Sequence, residues 1–142
     1  MPSETQPAPV SKGMLWAGGL MSALAALFLF VDGVMKLLKP AVVVEATVQL
    51  GYPESVITGL GIVLLSCSVL YSIPRTAVLG AILLTGYLGG AVATHVRVGE
   101  GLFPIIFPVM VGGLLWGGLS LRDRRLRELI PWRTPQRPTV HI

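Results

Sequence analysis

The chain has 142 residues, of which 53% are hydrophobic and 13% are charged, with a formal net charge of +4 and a mean hydropathy of +0.74. Because an average soluble domain has about a quarter of its residues charged, this composition excludes an ordinary water-soluble protein. Four stretches of 19, 20, 21 and 21 residues contain no Asp, Glu, Lys or Arg. Since about 20 apolar residues of helix cross a bilayer core, the sequence predicts four transmembrane helices.

The N-terminal segment, residues 1–12, is rich in proline and polar residues and is predicted to be disordered. The first span follows at about residues 14–38 and ends before Pro40, which cannot continue a helix interior. A cleaved signal peptide is the alternative for this region. The apolar run continues beyond the small-residue stretch "SALA", which favours a retained span.

The segment "PAVVVEATVQLGYP" between the first two spans has two interpretations. Its polar residues alternate as they do in a strand. However, Pro40 suits a helix first turn, Gly51 suits a C-terminal cap and Pro53 a stop. Because a lone strand at a membrane surface would leave its backbone groups unpaired, we expect a short interfacial helix.

Spans two to four are predicted at about residues 54–72, 75–97 and 103–121, with very short connections. Short connections force neighbouring helices to run antiparallel. The predicted fold is therefore an all-α, up-down four-helix membrane bundle covering residues 13–121.

Residues 122–142 form a basic tail that begins with a helical pattern and is then interrupted by three prolines. Its six arginines either fix the topology or also hold anionic lipid headgroups. With both termini cytoplasmic, eight Lys or Arg residues lie inside and three outside. This bias predicts a multi-pass protein of the plasma membrane with a cytoplasmic tail. Nucleic-acid binding is not supported, because the tail lacks interleaved aromatic residues.

Small residues recur at a spacing of four on several spans, which is how membrane helices approach closely. The first span has Gly18, Ser22 and Ala26 at this spacing. The third and fourth spans have the pairs Gly86 and Gly90, and Gly113 and Gly117. We expect these glycines to pack within the bundle, with formation of a homo-oligomer as the alternative.

Asp32, Lys36 and Lys39 share one helix face at the outer end of the first span. Under the predicted topology, His95 and Arg97 of the third span reach the same level, and Glu45 and Thr94 lie on that side as well. These charges either mark the membrane boundary or converge between the two helices. Because an acid has a short side chain, Asp32 should be paired with a cation or protonated.

Histidine titrates near neutral pH and suits proton transfer. His95 is the single histidine of the predicted spans, since His141 lies in the tail. A lone histidine beside an arginine is also a common interfacial hydrogen-bonding group. The sequence shows no Cys pair and no carboxylate–histidine cluster at metal-ligand spacing, so it predicts neither a disulfide within the chain nor a bound metal.

Several motifs together resemble the DoxX-like family of small four-helix membrane proteins. These are "DGVMKLLKP", "LGYP" before "GLGIVLL", "YSIPRTAVLGAILLTGYLGGAVATHVR" and "WGGLSLRDRRLRELIP", which cover about residues 14–133. The resemblance implies a four-helix membrane bundle. It also implies two functional settings, because related proteins include a membrane subunit of quinone-linked sulfur oxidoreductases and chaperones that assist assembly of receptor channels.

Two hypotheses of function follow. In the first, the protein is a membrane subunit or accessory protein of a quinone-linked oxidoreductase system. Its candidate binding residues at the outer end of the bundle are Asp32, Lys36, Tyr87, His95 and Arg97. In the second, it is a non-catalytic scaffold or assembly factor whose glycine-rich faces bind a partner membrane protein. Whether the chain is an enzyme is left open, because it contains no recognisable catalytic motif.

Overall fold

A computed structural model of the protein describes residues 11–129. All regular structure in this part of the chain is helical. The helices are α1 (Lys12–Leu38), α2 (Ala41–Gln49), α3 (Ile57–Ser72, preceded by a 3-10 turn, Glu54–Val56), α4 (Ala77–Val98), α5 (Leu102–Arg122) and α6 (Arg124–Leu129). Four segments are long and apolar enough to cross a membrane, namely α1, α3 with its preceding turn, α4 and α5. The predicted all-α membrane bundle is confirmed.

Local signals explain where the spans begin. The side chain of Ser11 accepts a hydrogen bond from the Met14 amide at 3.3 Å, so α1 begins at Lys12, slightly before the predicted position. The third span begins two residues later than predicted, because Pro74 lies in a turn. Thr76 closes this turn by donating its hydroxyl to the Leu70 carbonyl at 2.8 Å.

The segment between the first two spans is helical, as expected. Lys39 ends α1 in the left-handed conformation, with φ of 48°, and Pro40 then starts α2 in a new direction. Gly51 has φ of 86°, which ends α2 and turns the chain toward α3. The strand alternative is therefore excluded for residues 41–49, where α2 lies at the outer end of the bundle.

The four spans form a ring in which α1 contacts α3 and α5, and α4 contacts the same two helices. The first and third spans are therefore diagonal neighbours. Their polar groups face one another across the centre of the bundle.

The inner half of the ring, near the chain termini, is tightly packed. Four apolar residues are fully buried in this half or midway along the bundle, namely Leu64, Ala81, Leu84 and Leu115. Many other large apolar side chains point outward, where lipid would cover them. The bundle therefore has a narrow core and an apolar outer surface, as expected for a membrane protein.

Close helix approach uses glycines, and one of them is Gly18, which the sequence predicts for the first span. A Cβ at Gly18 would meet the Gly118 carbonyl oxygen, at 2.9 Å, and a Cβ at Gly80 would collide with the Tyr71 backbone. By contrast, no atom lies within 4 Å of a Cβ placed on Gly86, Gly90 or Gly113. The prediction of packing within one chain is wrong for these three residues.

Gly117 differs from these three glycines, because a Cβ there would meet the terminal methyl of Met21 at 2.8 Å. This is a contact with a flexible side chain and not with a backbone. The alternative use of the open glycines in an oligomer stays a prediction. The division of the chain into an N-terminal segment, a membrane domain and a basic tail also stays a prediction. Residues 1–10 and 130–142, including the proline-rich end of the tail, lie outside the described residues.

Candidate functional site

A cavity of about 500 Å³ lies in the outer half of the bundle. Its walls come from α1, α2, α4 and α5, with Leu60 from α3. Most of the lining is apolar and includes Phe28, Leu29, Leu88, Phe107 and Val111. Polar groups converge on this apolar space from several elements, namely Asp32, Lys36, Thr47, Tyr52, Tyr87, Thr94 and His95. A volume of this size with few polar groups is typical of a small-molecule site.

The charged wall of the cavity is an ion pair on α1. The Lys36 ammonium lies 2.6 Å from both carboxylate oxygens of Asp32, one helical turn away. Helix α1 is fixed in rotation because Gly33 packs against Leu65, and Gly61 packs against the Gly33 carbonyl and the Lys36 side chain. Pairing neutralises both charges where neither could be buried alone. Asp32 is therefore paired with Lys36, and both residues line the cavity.

On the opposite wall, His95 pairs with Glu100, which itself lies outside the cavity lining. The Nδ1 atom of His95 lies 2.5 Å from the Glu100 carboxylate. Gly99, with φ of 75°, ends α4 and lets the Glu100 amide bond to the His95 carbonyl at 3.3 Å. This helix end turns Glu100 back over the last turn of α4. The histidine is thus held in one orientation at the rim of the cavity.

Sequence reasoning missed Glu100. The available signal was the glycine four residues after His95, which is the usual position for a left-handed helix cap. The residue after such a cap lies close to the last turn, so a carboxylate at position 100 can reach the ring at position 95.

The segment after α2 is tied to α4 by two hydrogen bonds. The Tyr52 hydroxyl lies 2.7 Å from the Thr94 hydroxyl, which in turn donates to the Gly90 carbonyl at 2.9 Å. The Arg97 guanidinium donates to the Leu50 carbonyl at 2.7 Å. These two bonds hold α2 and the turn that follows it across the outer end of the cavity.

Tyr87 lies on α4, two turns before His95, and is half-buried in the cavity wall. Within residues 11–129 no hydrogen-bond partner is found for its hydroxyl. Because a partly buried phenol normally finds a partner, this hydroxyl is available to a ligand.

The structure brings together four of the five predicted binding residues. Asp32, Lys36, Tyr87 and His95 all line the cavity. Arg97 does not, because its guanidinium points to the Leu50 carbonyl at the surface. Lys39 and Glu45, which were expected on the same side, also lie outside the lining.

Two of the predicted packing glycines, Gly86 and Gly90, belong to the cavity wall instead of a helix interface. Their missing side chains leave space beside Tyr87, and any larger residue there would project into that space. Within residues 11–129, His, Cys, Asp and Glu side chains form no group of three that could hold a metal ion. Cys67 is buried in α3 and lies outside the cavity lining.

A family model described as the DoxX-like family matches residues 20–118, which is more than two-thirds of the chain. No curated protein and no solved structure is similar enough to count as a match. The matched region contains α2 and α3, most of α1 and α5, all of α4 and every residue that lines the cavity. The chain belongs to the DoxX-like family.

Proposed function

We propose that this member of the DoxX-like family binds a quinone-class molecule in its outer cavity and serves as a membrane subunit or accessory protein of a quinone-linked oxidoreductase system. The supporting observation is the cavity itself, which is apolar over most of its surface and has hydrogen-bond donors from α1 and α4. A quinone has an apolar ring and tail and two carbonyl oxygens that accept hydrogen bonds. Such a molecule reaches a membrane protein through the lipid.

The residues present fit this ligand. The unpartnered Tyr87 hydroxyl can donate to one carbonyl oxygen. The Lys36 ammonium has three hydrogens, and its ion pair with Asp32 leaves capacity to donate to a ligand as well. The apolar side chains Phe28 and Phe107, whose rings meet edge to face at 5.2 Å, offer a surface for a ring. A bound quinone would supply redox capacity, with the chain's own residues holding and orienting it.

The direct test measures the melting temperature of purified protein in lipid nanodiscs with and without a short-chain ubiquinone analogue. We expect the ligand to raise the melting temperature, because a ligand that binds only the folded state stabilises it. The double variant Tyr87→Phe/Lys36→Met should lose the shift. Ser66→Ala, on the exposed face of α3, is the control and should keep it. An unchanged melting temperature of the wild-type protein at saturating analogue would refute the proposal.

A scaffold or assembly factor is the second candidate, and the open glycines favour it. Gly113 is exposed, and nothing lies within 4 Å of a Cβ at that position. A partner helix could approach closely there. Under this alternative, Gly113→Leu should abolish co-purification of a membrane partner and leave the quinone response unchanged. A quinone response with no partner lost on Gly113→Leu would favour the first candidate.

The proposed orientation places both termini in the cytoplasm of a cell whose plasma membrane holds the protein. Among residues 11–129, the end near the termini carries six Lys or Arg residues and the cavity end carries three. This asymmetry supports a cytoplasmic inner end. In a Cys67→Ser background, a membrane-impermeant maleimide should label Gly101→Cys on intact cells and Gly13→Cys only after permeabilisation. The reverse labelling would overturn the orientation.

A further inference from the structure

A short helix, α6, follows the last span at the inner end of the bundle, away from the cavity. Asp123 ends α5 in an extended backbone conformation, with φ of −113° and ψ of 112°. Its carboxylate accepts a hydrogen bond from the Arg125 amide at 2.9 Å, which caps the new helix. Leu126 is buried and joins the apolar core of the bundle. Helix α6 is therefore fixed with a defined face toward the bundle.

The start of α1 shows where the bundle leaves the hydrocarbon at this end. Trp16 is 80% exposed on α1. Tryptophan is enriched where a membrane protein meets the lipid headgroups, because its ring is apolar and its N–H is polar. A Cβ on Gly18 would meet side-chain atoms of Leu121 and Arg122, so the end of α5 lies at the level of this part of α1. Helix α6 begins two residues later, at Arg124, and therefore lies at headgroup depth.

Helix α6 has an apolar face and a polar face. Leu126 and Leu129 lie three residues apart and so share one face. Leu126 is buried against the bundle, whereas Leu129 is exposed beside it. Arg124 and Glu128 lie one turn apart on the opposite side. This pattern is typical of a helix that lies on a membrane surface with its apolar side chains toward the hydrocarbon.

Arg125 and Arg127 lie at the boundary between these two faces. Successive residues of a helix are rotated by about 100°, so the two arginines lie on either side of Leu126. Arg127 donates one hydrogen bond to the Leu121 carbonyl, at 3.3 Å, and its guanidinium has further N–H groups. The Arg125 side chain is exposed, and no partner for it is found within residues 11–129. Both cations are therefore placed along the membrane surface at the depth of the lipid phosphates.

We infer that α6 binds the headgroups of anionic phospholipids in the adjacent leaflet. A guanidinium binds a phosphate through two parallel hydrogen bonds, and its charge favours an anionic headgroup over a zwitterionic one. Within residues 11–129 the carboxylates at this end are Asp123 and Glu128, and neither forms an ion pair with Arg125 or Arg127. Leu129 enters the hydrocarbon beside the bound lipid. This site lies at the opposite end of the bundle from the cavity and does not depend on the proposed function.

The test titrates dioctanoyl phosphatidylglycerol and dioctanoyl phosphatidylcholine into the full-length protein in a neutral detergent, and native mass spectrometry gives the two dissociation constants. An arginine at an anionic membrane surface contributes about fivefold in affinity. We expect the wild-type protein to prefer phosphatidylglycerol by at least about 25-fold. In Arg125→Gln/Arg127→Gln the preference should fall by about 25-fold. In Arg125→Lys/Arg127→Lys most of it should remain, because both charges are kept.

Lys12→Gln/Arg75→Gln is the matched control, since it removes two exposed cations from the same end of the bundle, outside α6. It should lower the preference by less than about threefold. A second readout uses nitroxide labels in a Cys67→Ser background, in nanodiscs that contain phosphatidylglycerol. A label at Leu129→Cys should be more accessible to oxygen than to a water-soluble nickel chelate, and a label at Glu128→Cys should show the reverse.

Equal dissociation constants of the two lipids in the wild-type protein would overturn the inference. So would a preference that persists in Arg125→Gln/Arg127→Gln, or one that the control variant loses to the same extent. Binding of glycerol 1-phosphate as tightly as the lipid would also overturn it, because the site would then recognise a soluble phosphate. A label at Leu129→Cys that is accessible mainly to the nickel chelate would show that α6 does not lie on the membrane.

Discussion

The two ends of this bundle are built from similar residues and differ in what those residues do. In the inner half, neighbouring helix backbones lie close together, with Gly18 against Gly118 and Gly80 against the Tyr71 backbone. The outer half contains a half-open cavity of about 500 Å³ between helices that carry open glycines. One half is therefore closely packed, and the other half leaves open space between its helices.

Two tyrosines show this difference most clearly. Tyr71, in the inner half, is fully buried, donates its hydroxyl to the Leu115 carbonyl at 2.8 Å and lies 2.9 Å from the Ser22 hydroxyl. Tyr87, in the outer half, is half-buried, and no partner for its hydroxyl is found within residues 11–129. The two tyrosines therefore differ in one respect: the Tyr71 hydroxyl is satisfied within the protein, and the Tyr87 hydroxyl is available to a ligand.

The largest expected difference is between glycines of the two halves. Gly80→Ala places a Cβ against the backbone of Tyr71, which cannot move aside as a flexible side chain would. We expect a loss of about 3 kcal/mol in the free energy of unfolding. Gly86→Ala meets open space and should change stability by less than about 1 kcal/mol, in the stabilising direction. SDS titration in mixed micelles measures both, and similar losses in the two variants would contradict the comparison.

The two tyrosines provide the next test. Tyr71→Phe leaves the Ser22 hydroxyl without its buried partner and should cost about 1.5 kcal/mol in the free energy of unfolding. Tyr87→Phe removes a hydroxyl that has no protein partner, so it should change this free energy by less than about 0.5 kcal/mol. We expect it instead to weaken binding of the quinone analogue. Equal destabilisation by the two variants would show that the Tyr87 hydroxyl has a structural role.

A third test concerns the ion pair in the wall of the cavity. Asp32→Leu leaves the Lys36 ammonium without its partner and should cost about 1 kcal/mol, a moderate value because the Asp32 carboxylate is partly exposed. The double variant Asp32→Leu/Lys36→Met should recover most of this loss, because both charges are then absent. A double-mutant cycle in the same SDS titration checks this prediction. Additive losses would mean that the two side chains do not stabilise each other.

The smallest expected effect concerns the bond that ties the turn after α2 to α4. Tyr52→Phe removes the bond to Thr94 and should cost about 0.5 kcal/mol of global stability. Amide hydrogen exchange should accelerate in residues 41–49 and stay unchanged in α3. Val48→Ala, an exposed position on α2, is the control and should leave exchange of the segment as it is. Uniform acceleration over all helices would contradict a local effect.

Much of this architecture could be predicted from the sequence. The charge-free runs predict four spans, because an apolar segment inside a bilayer can satisfy its backbone N–H and C=O groups by forming a helix. The spacing of Asp32 and Lys36 predicted their shared face, since this depends on one helix alone. The use of each glycine could not be predicted, because Gly80 and Gly86 differ only in what the neighbouring helix places opposite them.

The candidate site was only partly predictable for the same reason. The sequence predicts a group of binding residues near one end of the spans, and four of them line the cavity, namely Asp32, Lys36, Tyr87 and His95. Arg97 is also a polar residue near the same end of the spans, but its guanidinium donates to the Leu50 carbonyl and does not line the cavity. Glu100 belongs to a short loop, and its role depends on the turn made by Gly99.

Native mass spectrometry of protein extracted together with its own lipids is the most direct test of the proposal that the outer half of the bundle holds a quinone-class molecule. We expect the wild-type protein to retain a mass corresponding to a quinone. We also expect that Gly90→Phe, which places a ring in the open space of the cavity, does not retain it. A wild-type protein that carries no such mass, or a Gly90→Phe variant that carries the same mass, would contradict the proposal.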